Sequence, residues 1–217
     1  RIPGPGTEIT MKQVNYGVIG LGWFGEKHCQ ALAAIPGVHL HSLCTRTSSR
    51  LEELATTFQV ENTFTDYREM LADPELEAVS IVTMWDQHLE PTLAALEAGK
   101  HVLVEKPLCM SMEEAAAIKA AAIKAGRLFT MGFQMRQHRG YRALAEFLAE
   151  GKLGQVYHSR VWGGHVMNYP WGRYFHKKEE SLGGVVVATV VHPLDALYWI
   201  LGAPEPMSVS ASVFCKL

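Results

Sequence analysis

Short apolar runs alternate with longer amphipathic segments along the first three fifths of the chain. The apolar runs are rich in Val, Ile and Leu, and they predict strands over Val14–Gly20, Val38–Cys44, Ala78–Thr83, His101–Val104 and Leu128–Gly132. The segments between them predict helices over Trp23–Ile35, Ser48–Phe58, Asp86–Ala98 and Met112–Ala125. Strands that are apolar on both sides suit a parallel sheet with both faces buried. The alternation therefore predicts an α/β domain, a doubly wound parallel sheet over residues 12–132.

Side chains that suit helix caps support this reading. Ser111 with Glu114, and Asp66 with Glu69, have the spacing of a capping box. In that arrangement a side-chain oxygen accepts a hydrogen bond from one free backbone amide, and a carboxylate reaches back to accept a hydrogen bond from another. Helices are therefore expected to begin at both places.

The pattern changes after residue 132. A helix is predicted near Tyr141–Glu150, strands over Val156–Trp162 and Met207–Phe214, and an apolar segment runs from His192 to Leu201. Residues 133–217 are therefore expected to form a second, partial α+β domain, because two strands with one or two helices bury little apolar area. Residues 1–11, rich in Pro and Gly, are expected to be a disordered tail or an expression remnant.

Composition narrows the class of protein. The 217 residues carry a formal charge of −2, which argues against a nucleic-acid-binding surface as the main function. The sequence has no apolar run of the roughly 18 residues that a membrane span needs. The four cysteines form no CxxC pair, so we expect reduced thiols in the cytoplasm and no zinc site.

A glycine-rich turn follows the first predicted strand. Residues Gly20–Gly25 read GLGWFG, the spacing G-x-G-x-x-G, and open the first predicted helix. The first glycine allows a tight turn, the second lets a pyrophosphate approach the backbone, and the third lets the helix pack closely on the strand. Amides at the helix N-terminus then face the phosphates. The motif predicts a dinucleotide site, and the alternative is a glycine-rich turn without a ligand.

The end of the second predicted strand decides which dinucleotide fits. Sites for NAD usually carry Asp or Glu about 20 residues after the glycines, bonded to the ribose 2′-hydroxyl. Here residues 45–50 read TRTSSR, without an acid. Hydroxyl and guanidinium groups suit a 2′-phosphate, which favours NADP. The alternative is that Arg46 and Arg50 are solvated charges at a helix start and that NAD is bound loosely.

The motif Glu105-Lys106-Pro107 follows the predicted strand His101–Val104. Ligands of open α/β sheets bind beyond the carboxyl ends of the strands, so this motif is expected to border the site. A lysine there can hydrogen-bond a substrate oxygen and stabilise developing negative charge. By itself, a lysine after a strand is more often a surface residue.

Three segments together resemble one known family. Gly20–Gly25, AGKHVLVEKPL at Ala98–Leu108, and GG…HPLD at Gly183–Asp195 resemble the glucose–fructose oxidoreductase/inositol dehydrogenase (Gfo/Idh/MocA) family. The resemblance extends over Lys12–Leu217. It implies a Rossmann domain, a second α+β domain with a mostly antiparallel sheet, and substrate held between the two. It also implies NADP- or NAD-dependent oxidation or reduction of a secondary alcohol on a sugar, cyclitol or related polyol.

The resemblance also implies roles for single residues. Lys106 and His192 are the expected catalytic pair, with Lys106 near the nicotinamide and the substrate hydroxyl, and His192 accepting the hydroxyl proton. Residues expected to bind the cofactor are Gly20, Gly22, Trp23, Phe24, Gly25, Thr45, Arg46, Thr47, Arg50, Thr83, Trp85, His88, Glu105, Lys106 and Gln134. Residues expected to bind the substrate are Lys106, Arg136, Trp171, Arg173, His192 and Asp195. The alternatives are a packed histidine at His192 and a helix cap at Asp195.

The chain departs from the family pattern before the histidine. Many members have D-x-G-x-H, whereas Ala188 and Val190 replace the Asp and the Gly here. The missing carboxylate would orient the base and tune its pKa. Three readings stay open: His192 acts with Lys106 alone, the reaction differs, or hydride transfer has been lost.

Three functions are therefore weighed. We favour an NADP-preferring oxidoreductase acting on a small sugar or polyol, with a homo-oligomer formed through the second-domain sheet. The alternatives are a glycosidase of the same family that uses tightly held NAD, and a non-catalytic nucleotide-binding protein. No metal is expected, since the histidines lack metal-binding spacing such as HExxH.

Overall fold

In the computed structural model of the protein, the described residues are 13–164 and 182–212. The chain divides into two compact units, one ending at Gly132 and the other beginning at Phe133. Of the residues with an expected role, Trp171 and Arg173 lie outside the described residues.

A six-stranded parallel sheet forms the centre of the first unit. Its strands are β1 (Val14–Ile19), β2 (Val38–Cys44), β3 (Asn62–Phe64), β4 (Ala78–Ile81), β5 (His101–Val104) and β6 (Phe129–Met131). The strand order is β3-β2-β1-β4-β5-β6, and each neighbouring pair is parallel. The winding therefore reverses between β1 and β4, the position at which sheets of this type bind ligands. The predicted doubly wound sheet is confirmed.

Helices pack on both faces of this sheet. They are α1 (Trp23–Ala33), α2 (Ser48–Phe58), α3 (Tyr67–Leu71), α4 (Leu89–Glu97) and α5 (Met112–Ala125). Successive strand residues point to opposite faces, so Val18 and Leu43 join one apolar cluster and Ile19 and Cys44 join the other. Burial of both faces is why these strands read as continuous apolar runs.

Hydrogen bonds at two helix starts match the expected caps. Ser111 Oγ accepts from the Glu114 amide at 3.2 Å, and the Glu114 carboxylate accepts from the Met110 amide at 2.8 Å. At the start of α3, Asp66 Oδ1 accepts from the Arg68 amide at 2.9 Å. The Glu114 and Arg68 amides are donors that a helix N-terminus leaves without an intrahelical acceptor, and the carboxylate that reaches back is described at Glu114 but not at Glu69.

The helix predicted over Asp86–Ala98 begins later than expected. Residues Trp85–Gln87 form a 3₁₀ turn, and α4 starts after it. Pro91 is the physical reason, because it has no amide hydrogen and its ring would clash with the Gln87 carbonyl in a continuous α-helix. That carbonyl accepts instead from the Thr83 hydroxyl, at 3.1 Å.

The second unit is helical where it is described. It contains a 3₁₀ turn at Gln134–Gln137, helix α6 (Arg139–Ala149), a π-helical turn at Val186–Val190, and helix α7 (Val191–Ile200). Within the described ranges, no helix of either unit is long and apolar enough to cross a membrane.

The strands predicted for the second unit are wrong wherever the structure describes them. Residues 155–164 contain no strand, which corrects the prediction for Val156–Trp162. Residues 203–212 contain none either, and the end of the predicted Met207–Phe214 strand lies outside the described residues. A strand needs a neighbour to pair its backbone groups, and the described part of this unit supplies none. The expected antiparallel sheet is therefore not confirmed.

Candidate functional site

Three glycines shape the turn between β1 and α1, each for a different reason. Gly20 has φ +95°, and a Cβ there would lie 2.7 Å from backbone atoms of Val82 and Thr83. A Cβ on Gly25 would lie 2.0 Å from the Gly20 carbonyl oxygen, so α1 packs directly on the turn. A Cβ on Gly22 would meet nothing within 4 Å in the described structure. The backbone of Gly22 thus borders open space, and we call this space at the start of α1 the cradle.

The N-terminus of α1 borders this cradle. Its first intrahelical bond joins the Glu26 amide to the Gly22 carbonyl at 3.0 Å, so the amides of Trp23, Phe24 and Gly25 precede the regular ladder. The N-cap is Gly22, which has no side chain to cap them. Amides and the positive end of the helix dipole suit an anion, and the cradle therefore fits the diphosphate of a dinucleotide.

Arg50, expected to bind the cofactor, is engaged within the protein. Its Nε donates to the Leu21 carbonyl at 3.0 Å, which ties α2 to the glycine turn. Its guanidinium also pairs with Glu53, at 2.7 Å, and with Glu26. Two carboxylates therefore already balance the charge that was expected to meet a phosphate.

Arg46, on the loop after β2, has no carboxylate partner among the described contacts and is accessible, in contrast to Arg50. Its Nη2 donates to the Gln87 side chain at 2.9 Å, and the residue is exposed. Thr47 is exposed at the N-cap of α2, and Thr45 is partly exposed. A guanidinium group and hydroxyls are thus accessible at the position that selects between NADP and NAD.

His88 joins the turn after β4 to the Glu105-Lys106-Pro107 turn. Its Nδ1 lies 2.8 Å from the Pro107 carbonyl oxygen and its Nε2 lies 3.2 Å from the Thr83 carbonyl oxygen. Burial lowers the pKa of His88, against the opposing effect of these carbonyls. A neutral imidazole has a single N–H, so it donates to one of the two carbonyls at a time. Trp85, in the same turn, is also buried.

Lys106 lies directly beyond β5 and is half-buried. Burial lowers the pKa of its amine, and the charge of Glu105 opposes this effect. The Lys106–Pro107 peptide bond is cis. A partly desolvated amine at the carboxyl end of a central strand can donate a hydrogen bond to a substrate oxygen and exchange a proton with it.

Glu105, expected to bind the cofactor, is buried beneath this turn. Its Oε1 lies 3.1 Å from His28 Nε2, and its Oε2 accepts from the Lys106 amide at 3.2 Å. Sequence analysis assigned no role to His28 or to Gln87. One feature of the sequence could have pointed to His28: it follows Phe24, an expected cofactor ligand, by one helical turn and therefore lies on the same face of α1.

Three expected residues come together in the second unit. Arg136 Nε and Nη2 donate to the two carboxylate oxygens of Asp195 at 2.8 and 2.5 Å. The Arg136 guanidinium also lies over the Phe133 ring, 5.7 Å from its centroid. The His192 ring meets the edge of the same phenyl ring, with centroids 6.3 Å apart. Asp195 thus pairs with Arg136, and no side chain caps α7. Gln134 is exposed in the preceding turn.

Two of the four cysteines are buried in the first unit. Burial raises the pKa of the Cys29 and Cys44 thiols to about 12, which keeps both protonated at neutral pH. Residues 13–164 and 182–212 contain no group of three or more His, Cys, Asp or Glu side chains placed to hold a metal ion.

The sheet order and the glycine turn at the reversal of winding define a Rossmann domain of the dinucleotide-binding class. Residues 14–133 match a family model described as an oxidoreductase family with an NAD-binding Rossmann fold, and residues 141–216 match a GFO/IDH/MocA C-terminal domain. The chain belongs to the GFO/IDH/MocA oxidoreductase family, and the resemblance inferred from the motifs is confirmed.

Curated relatives and solved structures agree with this assignment. The chain is 29% identical over 197 residues to 1,5-anhydro-D-fructose reductase of Ensifer adhaerens, covering 91% of the chain and 59% of the relative. It is 30% identical over 210 residues to D-glucoside 3-dehydrogenase of Escherichia coli K12, covering 96% and 60%. The structure of myo-inositol 2-dehydrogenase from Lactobacillus plantarum superposes with a TM-score of 0.75 at 28% identity, covering 88% and 57%. The chain thus spans less than two thirds of the length of these relatives.

Proposed function

We propose that the protein is an oxidoreductase that uses a nicotinamide dinucleotide, NADP in preference to NAD, on a secondary alcohol or ketone of a sugar, cyclitol or related polyol. The observation that supports it most is the open cradle beside Gly22, which lies at the same sheet edge as the partly desolvated amine of Lys106. The nicotinamide supplies hydride chemistry when bound. The substrate class is that of the relatives named above.

The protein's own residues divide the remaining work. The amides at the start of α1 bind the diphosphate, and Lys106 donates a hydrogen bond to the reacting oxygen, where it stabilises negative charge. His192, held edge-on to Phe133, takes the hydroxyl proton. Arg136 and Asp195, paired with each other, border the substrate, and Gln134 borders the cofactor.

The preference for NADP rests on Arg46 and not on Arg50. Arg46 is exposed and is held by Gln87, whereas two carboxylates balance Arg50. In titrations that follow the fluorescence of the reduced nucleotide, we expect NADPH to bind more tightly than NADH. Arg46→Ala should weaken NADPH binding by about tenfold and leave NADH binding unchanged. Arg68→Ala is the matched control, because Arg68 is exposed and lies over the Tyr67 ring. If the unaltered protein binds NADH more tightly than NADPH, the proposed preference for NADP is wrong.

The role of Lys106 is tested by Lys106→Met, which keeps the length of the side chain and removes its charge. We expect turnover of a polyol panel with NADP⁺ to fall by about 10²- to 10³-fold while NADPH still binds. Turnover that persists in this variant rejects the mechanism. Release of nitrophenol from nitrophenyl glycosides without added cofactor would identify the glycosidase alternative, and binding without any turnover would identify a non-catalytic protein, which Ala188 favours.

A further inference from the structure

A chain of partly buried polar groups links β1, α1 and the Lys106 turn in the first unit. The Tyr16 hydroxyl lies 3.3 Å from Ser80 Oγ, and Ser80 Oγ lies 3.1 Å from His28 Nδ1. His28 Nε2 lies 3.1 Å from Glu105 Oε1, and Glu105 Oε2 accepts from the Lys106 amide. The chain therefore ends at the residue expected to touch substrate.

Chemistry fixes the direction of the bond at Glu105. A carboxylate only accepts, so His28 Nε2 donates to Glu105. Ser80 Oγ contacts His28 Nδ1 and donates to the Tyr16 hydroxyl. The His28 ring is thus hydrogen-bonded at both of its nitrogens, which fixes its orientation towards the carboxylate.

Packing leaves Glu105 little freedom. The Glu105 and His28 side chains are only 10% and 15% exposed. The Glu105 carboxylate also occupies the space that a Cβ on Gly132 would need, with Oε1 2.3 Å from that position. A buried carboxylate is costly unless its oxygens are hydrogen-bonded. His28 supplies one of these bonds from outside the turn.

We propose that His28 is a positioning residue for Lys106: by holding the Glu105 carboxylate, it fixes the turn that presents the Lys106 amine. The importance of this position for catalysis rests on the function proposed above. Besides Glu105 and Ser80, His28 contacts Phe24, whose ring meets the imidazole edge-on with centroids 5.3 Å apart. The glycine turn and the Lys106 turn are thereby joined through one side chain.

The test is a titration of Lys106 itself, so it needs neither substrate nor cofactor. Reductive methylation with ¹³C-formaldehyde labels the lysines of the full chain, and Lys106→Arg identifies the Lys106 NMR signal. Among the described residues, the ionisable groups that bear on this turn are Glu105 itself, His28 on α1, His88 after β4, which feels the charge of Glu105, and, at the far end of the hydrogen-bond chain, Tyr16 on β1. In Glu105→Gln we expect the midpoint of the Lys106 titration to fall by about one pH unit, because a neighbouring negative charge is lost.

His28→Leu should lower the same midpoint, because a carboxylate that His28 no longer holds moves away from the amine and stabilises its charge less. The double variant should match Glu105→Gln alone, since His28 acts through Glu105. In His28→Gln the new amide can donate to Glu105, so the Lys106 midpoint should return most of the way to its value in the unaltered protein. His39→Leu is the matched control and should leave it unchanged, because His39 is exposed at the start of β2.

Gly132→Ala gives a second route if His28→Leu does not fold. The new methyl group would displace the end of the flexible Glu105 side chain, with His28 intact, and should shift the Lys106 midpoint as His28→Leu is expected to do. A Lys106 midpoint that moves in Glu105→Gln but not in His28→Leu or Gly132→Ala would overturn the proposal. Turnover should fall by about 10²-fold in His28→Leu, with NADPH affinity retained. Failure of the unaltered protein to bind NADPH or NADH would reject the proposed function while leaving the Lys106 titration interpretable.

Discussion

His88 shows how one residue can connect two loops of the candidate site. Because burial lowers its pKa from the ordinary 6.5, the unfolded chain binds a proton more readily than the folded protein does. The stability that His88 contributes is therefore complete above about pH 6.5 and is lost as the pH falls through the lower folded pKa. We expect His88→Gln to lower the free energy of unfolding by about 1–2 kcal/mol at pH 7.5. Urea unfolding between pH 5 and 8 should show this difference shrinking towards acid.

The matched control is again an exposed histidine. His39→Gln should leave the free energy of unfolding at pH 7.5 within about 0.5 kcal/mol of the unaltered protein, since its ring is exposed. A His88→Gln difference that stays constant from pH 8 to pH 5 would contradict the assignment of a buried, neutral His88.

Residue types and spacing predict which side chains carry chemistry, but not what holds them. GLGWFG and EKP identify the cradle and Lys106 from short motifs, because their backbone requirements are local. Arg50 pairs with Glu26 and Glu105 pairs with His28, and both partners lie on α1. Only the packing of α1 on the sheet brings these pairs together. The sequence therefore predicted Arg50 as a cofactor ligand where the structure shows it in two ion pairs.

At the scale of an element, the turn into α1 depends on two glycines that can be separated experimentally. Gly25→Ala would place a methyl group 2.0 Å from the Gly20 carbonyl oxygen, so α1 must move away from the turn. We expect it to lower the free energy of unfolding by about 1–3 kcal/mol and to weaken NADPH binding. Gly22→Ala is the matched variant, because Gly22 has φ −66° and its Cβ would enter open space.

Gly22→Ala should unfold within about 0.5 kcal/mol of the unaltered protein. It should nevertheless raise the dissociation constant of NADPH by about tenfold, since the methyl group occupies the cradle. Urea unfolding and fluorescence titration measure the two quantities on the same sample. If Gly22→Ala binds NADPH as the unaltered protein does, the diphosphate does not approach this backbone.

Elements with a strong local signal were predicted well, and those that depend on other parts of the chain were not. The bounds of β2, β5, α2 and α5 match the prediction because the apolar pattern is clear there, and at α5 a serine N-cap and a glycine C-cap add to it. The pattern missed β3, a three-residue strand that carries Asn62 and Thr63 and is held by pairing with β2. The strand predicted over Val156–Trp162 has the right residue types and no described partner.

At the scale of the whole molecule, burial is distributed unequally between the two units. Both apolar clusters lie within the first unit. Of the buried apolar side chains described, the second unit contributes only Pro193, Ala196 and Ile200. Several large apolar side chains of that unit are exposed, among them Phe147, Trp162 and Met207. The first unit therefore has a core of its own, whereas the described part of the second unit has little.

This difference predicts that residues 1–132, expressed alone, fold and bind the nucleotide. The cradle, Arg46 and Lys106 all belong to this segment, and Gln134 alone among the expected cofactor ligands lies beyond it. We expect cooperative urea unfolding and an NADPH dissociation constant no more than about tenfold weaker than that of the full chain. Residues 133–217 expressed alone are the control, and should neither unfold cooperatively nor bind NADPH. A folded 1–132 segment that binds no NADPH would show that the second unit completes the nucleotide site, and an unfolded one would show that the two apolar clusters do not suffice for an independent fold.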